Sequence, residues 1–236
     1  MMKRTKPTIA ILGGMGPQAS AEVLARVMWV AQQRFGAETA DQFPEVILSS
    51  VPIPEFFESR SDRRQAEAML VDRVRELSRL PIDGLALACN TAHQFLPALQ
   101  AVTEKPFINL PGEVIFQAQQ KNWRRVGLLA SPVTTQSRLF ERSADRAGIS
   151  LVTPGLKDRR RLGQAIGLVI AGDRASARRQ VLAVAAQLEL RDVEAIILGC
   201  TELSLIFSSN DTSLPLLDSV QILAEKIAEI YYNQTE

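Results

Sequence analysis

The 236-residue chain has only two cysteines, Cys89 and Cys200, and a single histidine, His93. A structural zinc site needs about four Cys or His ligands at close spacing, so two distant cysteines and one histidine supply it poorly, and no metal is expected. One disulfide is the most that two thiols can form, and the cytoplasmic setting expected below disfavours even that. Charge of one sign is also missing. The formal net charge is +1, which gives no electrostatic case for nucleic acid or an acidic membrane surface. The basic run Lys157, Arg159, Arg160 and Arg161 is read as a solvated surface turn. No stretch approaches the roughly 20 apolar residues that span a bilayer. The apolar run Ile9–Leu12 is too short for the core of a signal peptide and breaks at Gly13-Gly14, so a cytoplasmic protein is expected.

What is present is an ordinary globular balance, 46% hydrophobic and 22% charged, enough for one large domain or two small ones. Short apolar, β-branched runs at Thr8–Leu12, Glu45–Val51, Gly84–Ala88, Arg125–Ala130 and Glu194–Leu198 read as strands. Amphipathic stretches at Gln18–Phe35, Ser61–Leu80, Thr135–Ala147, Arg174–Leu188 and Ser219–Tyr231 read as helices. Alternation of the two predicts an α/β fold with parallel sheets covered by helices on both faces. The chain also repeats itself. Thr8–Gly14 and Arg125–Ser131 share one plan of strand and small-residue turn. Leu85-Ala86-Leu87-Ala88-Cys89-Asn90-Thr91 is matched by Ile196-Ile197-Leu198-Gly199-Cys200-Thr201-Glu202. The offsets, about 111 to 117 positions, imply duplication of one α/β unit. Turn signals at Pro111-Gly112, Asn210-Asp211 and Pro215 set the expected domains at 1–112 with 213–236, and 113–212, each a doubly wound sheet.

Ligands of open α/β sheets bind beyond the carboxyl ends of the strands, and both cysteines sit at such ends, before turns whose free N–H groups favour a thiolate. If a pseudo-twofold axis relates the halves, the cysteines face each other across a cleft between the domains. One thiolate could then remove a proton from a carbon while the opposite thiol returns one, inverting that carbon. Inversion must run in both directions, so the two bases should be alike, and a thiol of ordinary pKa about 8.5 needs modest tuning for this work. Cysteine can equally be a small buried hydrophobe, and Asn90, Thr91 and Thr201 can equally be cap or turn residues. As donors beside the cysteines, they would stabilise charge developing on a substrate carboxylate.

Three stretches carry a resemblance: Leu12-Gly13-Gly14-Met15-Gly16-Pro17, Ala88-Cys89-Asn90-Thr91-Ala92-His93 and Leu198-Gly199-Cys200-Thr201-Glu202. In that order, over nearly the whole chain, they resemble the aspartate/glutamate racemases. The resemblance implies a pseudo-symmetric two-domain α/β fold, no cofactor, a small-molecule amino-acid substrate and commonly a homodimer. It implies Cys89 and Cys200 as catalytic bases, with Met15, Ser50, Asn90, Thr91, Ser131, Thr134, Arg161, Thr201 and Glu202 as substrate contacts. Glu202 matches the aspartate-type branch and is expected to accept a hydrogen bond near Cys200. His93 is expected on a helix after Cys89 in a structural role. One departure concerns the substrate. Where strict aspartate racemases tend to carry Ile-Pro-Asp-Arg, this chain has Ile53-Pro54-Glu55-Phe56. A phenyl ring cannot hold a carboxylate in a two-pronged ion pair, so a broader or more apolar side-chain pocket is expected. The other readings are a related cysteine-dependent isomerase or decarboxylase, a two-lobed binding protein without turnover, and a redox dithiol, which would need the two thiols within disulfide range.

Overall fold

The structure is a computed structural model that describes residues 6–54 and 59–233. Chain contacts divide it into two compact units. One takes the described residues of Met1–Ala88, Phe95–Asn109 and Leu223–Glu236, and the other takes Cys89–Gln94 and Leu110–Ile222.

The first unit runs β1 (Ile9–Gly13), α1 (Pro17–Phe35), β2 (Val46–Ser50), α2 (Arg60–Ser78), β3 (Gly84–Leu87) and α3 (Leu96–Gln100). Its sheet has the order β2-β1-β3, all parallel. All five residues of β1 are buried, as expected of a central parallel strand covered on both faces. Helix α1 starts with Pro17, a residue whose missing N–H costs nothing in a first turn. It stops at Gly36, whose φ of 68° closes the last turn. Between them Ala19, Val23, Val27, Val30 and Ala31 form a buried stripe, each valine contributing on the order of 1.5 kcal/mol. Residues 223–233 complete this unit. Tyr232 stacks on Phe35 at 4.3 Å, and Arg34 lies 3.3 Å from Glu229.

The second unit runs α4 (Leu110–Gln120), β4 (Arg125–Leu129), α5 (Pro132–Gln136), α6 (Glu141–Ala147), β5 (Ser150–Val152), α7 (Leu156–Ile170), α8 (Arg174–Glu189), β6 (Ala195–Leu198), β7 (Leu216–Asp218) and α9 (Ser219–Tyr232), the last passing to the first unit at Leu223. Its sheet order is β5-β4-β6-β7, again parallel. The repetition expected from the sequence extends to individual hydrogen bonds. The Asp83 carboxylate accepts the Thr8 N–H at 2.7 Å, and the Glu194 carboxylate accepts the Arg125 N–H at 2.8 Å. The Ala88 N–H reaches the Leu12 carbonyl as the Gly199 N–H reaches that of Leu129. Leu85 bridges to Phe107 where Ile196 pairs with Leu216. Both sheets thus repeat one parallel strand order, as expected of an α/β duplication.

Several expectations need correction. The basic run from Lys157 to Arg161 is not a surface turn but the opening of α7, whose Leu162, Ala165, Ile166 and Val169 are buried. Pro111 and Gly112 lie inside the first turn of α4, where proline is tolerated. The helix expected over Thr135–Ala147 is two helices, α5 and α6, with Arg138 between them at φ 52°. His93 lies on a 3-10 helix, Thr91–Phe95. Glu55 and Phe56 lie outside the described residues. No helix among the described residues is long and apolar enough to cross a membrane.

Candidate active site

Cys89 follows β3 by two residues and Cys200 follows β6 by two, at matching places in the repeat. Small residues precede both. At Gly199 a Cβ would lie 2.7 Å from Leu128 Cδ1 and 3.1 Å from the Phe140 ring, so glycine lets the strand end pack closely. Both cysteines are free and buried. The Cys89–Gln94 segment groups with the second unit, so the contacts below belong to one unit.

Cys200 donates its S–H to Glu202 Oε2 at 2.9 Å, and Thr201 Oγ1 donates to the same oxygen at 3.2 Å. Glu202 itself is buried. Burial pushes the Cys89 thiol from 9.0 up to about 12, and the Glu202 charge adds to this. Backbone N–H groups of Ala92 and Thr91 and the Thr91 hydroxyl pull the other way, and lose. The Cys200 thiol is also raised well above its usual range, first by burial, then by the charge and hydrogen bond of Glu202, and further by the charge of Cys89. The helix-like turns therefore do not make ready thiolates. Both thiols are held protonated, and a carboxylate in contact with one of them accepts the hydrogen bond. A thiol bonded to a carboxylate can pass its proton across that bond without adding charge to the buried site.

Around the thiols lie polar groups of two kinds. Thr91, Ser131 and Thr134 bring three buried hydroxyl oxygens together, with Thr91 Oγ1 3.1 Å from Ser131 Oγ and 2.8 Å from Thr134 Oγ1, and Ser131 donating to Thr134 at 3.0 Å. Ser131 also caps α5 by accepting the Thr134 N–H. Three adjacent hydroxyls can turn their protons toward an anion. Asn90, 1% exposed, donates from Nδ2 to Ser219 Oγ at 2.9 Å, while its Oδ1 is buried without a hydrogen-bond partner. An unpaired buried carbonyl oxygen is an acceptor open to a ligand's donor. His93 is structural here. The Leu110 N–H donates to its Nε2 at 3.3 Å, which leaves Nδ1 to donate to the Cys89 carbonyl at 3.0 Å.

The structure thus brings together Cys89, Asn90, Thr91, Ser131, Thr134, Cys200, Thr201 and Glu202 within one unit. Met15 and Ser50 belong to the first unit, where Ser50 pairs in register with Gly13. Arg161 lies on α7 and sits 3.8 Å from Asp158 one turn back. Ser219, fully buried against Asn90, was not expected. It opens the helix foreseen at Ser219, and a serine there reads as a cap. Among the described residues no group of three or more His, Cys, Asp or Glu is placed to hold a metal.

The chain thus has two α/β units, each with a parallel sheet, and two buried cysteines at matching strand ends. Sequence comparison makes the class definite: the chain belongs to the Asp/Glu/Hydantoin racemase family, whose model matches residues 12–227. It is 25% identical over 227 residues to the broad specificity amino-acid racemase RacX of Bacillus subtilis, covering 94% of this chain and 97% of that one. Among solved structures it is similar to Picrophilus torridus aspartate racemase, with a TM-score of 0.83, 24% identity and coverage of 94% and 93%. An aspartate racemase homologue from Pyrococcus horikoshii gives 0.78, 23% identity and coverage of 95% and 98%. The protein is an isomerase by family, and membership supports amino-acid racemase activity.

Proposed function

We propose that the protein is a cofactor-independent amino-acid racemase with Cys89 and Cys200 as its two bases. The observation that carries this is the Cys200–Glu202 hydrogen bond of 2.9 Å, set among raised thiols that both feel the same carboxylate. Proton transfer from Cys200 to Glu202 leaves one negative charge in the site and moves it onto sulfur. The thiolate then takes the α-proton of the bound amino acid, and the C–H electron pair passes into the carboxylate. Cys89, still protonated, delivers its proton to the opposite face, and the carbon is inverted. The reverse reaction exchanges the two roles.

The hydroxyls of Thr91, Ser131 and Thr134 suit the substrate's α-carboxylate, where the developing charge accumulates, and donors aimed there lower the barrier. Asn90 Oδ1 suits the α-ammonium group. Thr201 steadies Glu202, while Met15, Ser50 and Arg161 remain proposed contacts toward the substrate's side chain. With Phe56 in place of an arginine, and a relative named for broad specificity, the substrate is proposed to extend beyond aspartate and glutamate to uncharged amino acids. A cytoplasmic homodimer belongs to the same proposal, and sedimentation at several concentrations tests the dimer.

Incubation of the protein with each L- and D-amino acid in D₂O, followed by NMR and chiral chromatography, tests the reaction. Loss of the α-proton with appearance of the deuterated mirror image identifies racemisation and the substrate. Absence of exchange with every amino acid favours a related isomerase, a decarboxylase or a binding protein instead.

A further inference from the structure

Resting on the racemase reading above, we propose that Ser219 is a positioning residue that fixes the Asn90 amide, and through it the site's requirement for an α-ammonium group. Ser219 is fully buried at the junction of β7 and α9, and its Oγ accepts Asn90 Nδ2 at 2.9 Å. An amide anchored through nitrogen must turn its oxygen away, and Oδ1 is left buried and unpartnered. An isolated buried acceptor is costly in a folded chain. A ligand that supplies the donor offsets that cost, and an ammonium group offers a charge-assisted one.

The junction that holds Ser219 is tied to the other cysteine as well. β7 pairs with β6 through Leu198 and Asp218, two residues before Cys200. Asp218 Oδ1 accepts the Ser204 hydroxyl at 2.6 Å and the Val220 N–H at 2.9 Å, so the turn after Cys200 and the start of α9 share one anchor. Ser219 therefore refers Asn90, next to Cys89, to the strand that leads to Cys200. Loss of its hydroxyl frees the amide to rotate and leaves Nδ2 without its partner. The ammonium contact exists in both ground and transition states, so its loss raises KM more than it lowers kcat.

The test is a double-variant cycle on the intact protein, with the amino acid that shows the fastest α-proton exchange in D₂O as substrate. Ser219→Ala is expected to raise KM about tenfold, the scale of one ordinary hydrogen bond, with kcat within about threefold. Ser219→Thr, which keeps the hydroxyl, should return KM to within about threefold of the parent. In the Asn90→Ala background, Ser219→Ala should change kcat/KM by less than about twofold, because the residue it positions is gone. An equal loss in both backgrounds overturns the inference, as does a fall in kcat at constant KM. Should the alanine variant fail to fold, Ser219→Cys replaces it, and a parent-like KM for that variant overturns the inference. An inactive parent sinks the racemase reading and this inference together, whereas an active parent with an additive cycle sinks this inference alone.

Discussion

Replacing Glu202 with glutamine keeps the size of the side chain and removes its ability to take a proton. In the parent, the Cys200 thiol faces Glu202 Oε2 at 2.9 Å in a buried setting. Ionisation of Cys200 by transfer to that oxygen relocates a charge, whereas in Glu202→Gln the buried thiol has no neighbouring proton acceptor, although the carboxylate charge that helped to raise it is also gone. General base assistance is worth about 10²–10⁴-fold, so kcat/KM is expected to fall at least about 100-fold, or about 2.7 kcal/mol in barrier. The fall must be equal from both enantiomers, because mirror images have an equilibrium constant of one. The same charge raises both thiols, but only Cys200 loses its proton acceptor. The Glu202 charge is the second cause of the raised Cys89 thiol, so its removal makes Cys89 easier to ionise. Progress curves from each enantiomer read the first effect, and iodoacetamide labelling of Cys89, followed by mass spectrometry, reads the second. Slower racemisation together with faster labelling at Cys89 is the expected pair of results. A kcat/KM within threefold of the parent would refute the role given to Glu202.

Other perturbations test other links. Thr91→Val removes the hydroxyl that joins Ser131 and Thr134, and kcat should fall about 100-fold, the scale of one lost oxyanion donor, with unchanged circular dichroism. Cys89, raised from 9.0 to about 12, contributes stability that is complete below about pH 9. It is lost as pH rises toward 12, because the unfolded chain releases the proton first. Urea titrations in that window should show a decline near 1.4 kcal/mol per pH unit for this group, and Cys89→Ala should reduce it. At Gly14, with φ 101°, a Cβ would lie 2.1 Å from the Val51 carbonyl oxygen. Gly14→Ala should cost about 3 kcal/mol or more, roughly 6–12 °C in Tm by calorimetry.

Much of this architecture is legible in the sequence because long, fully buried parallel strands leave continuous apolar runs. Ile9–Gly13 and Ala195–Leu198 are such runs. The short elements are hidden. β5 and β7 have three residues each, too few for a period, and they exist because a longer neighbour supplies the hydrogen-bond ladder. Helix α7 is obscured by its charged first turn and by Gly163 and Gly167, although Leu162, Ala165, Ile166 and Val169 keep the helical spacing. Around the site, residues next to the cysteines in sequence could be named as candidates. The charge state of the thiols could not, because desolvation depends on burial, and burial outweighs the turn N–H groups. Ser219 lies 129 residues from Asn90. Only β7 pairing beside β6 brings it there, and nothing local in the sequence signals that contact.

The central claim is that two thiols act on one carbon. Its most direct test is α-proton exchange and chirality in D₂O for the parent, Cys89→Ser and Cys200→Ser. The parent is expected to turn either enantiomer into its α-deuterated mirror image. Each serine variant should fold, lose racemisation, and keep slow exchange with one enantiomer only, the opposite one in each case. Racemisation that survives in either variant would contradict the two-base account.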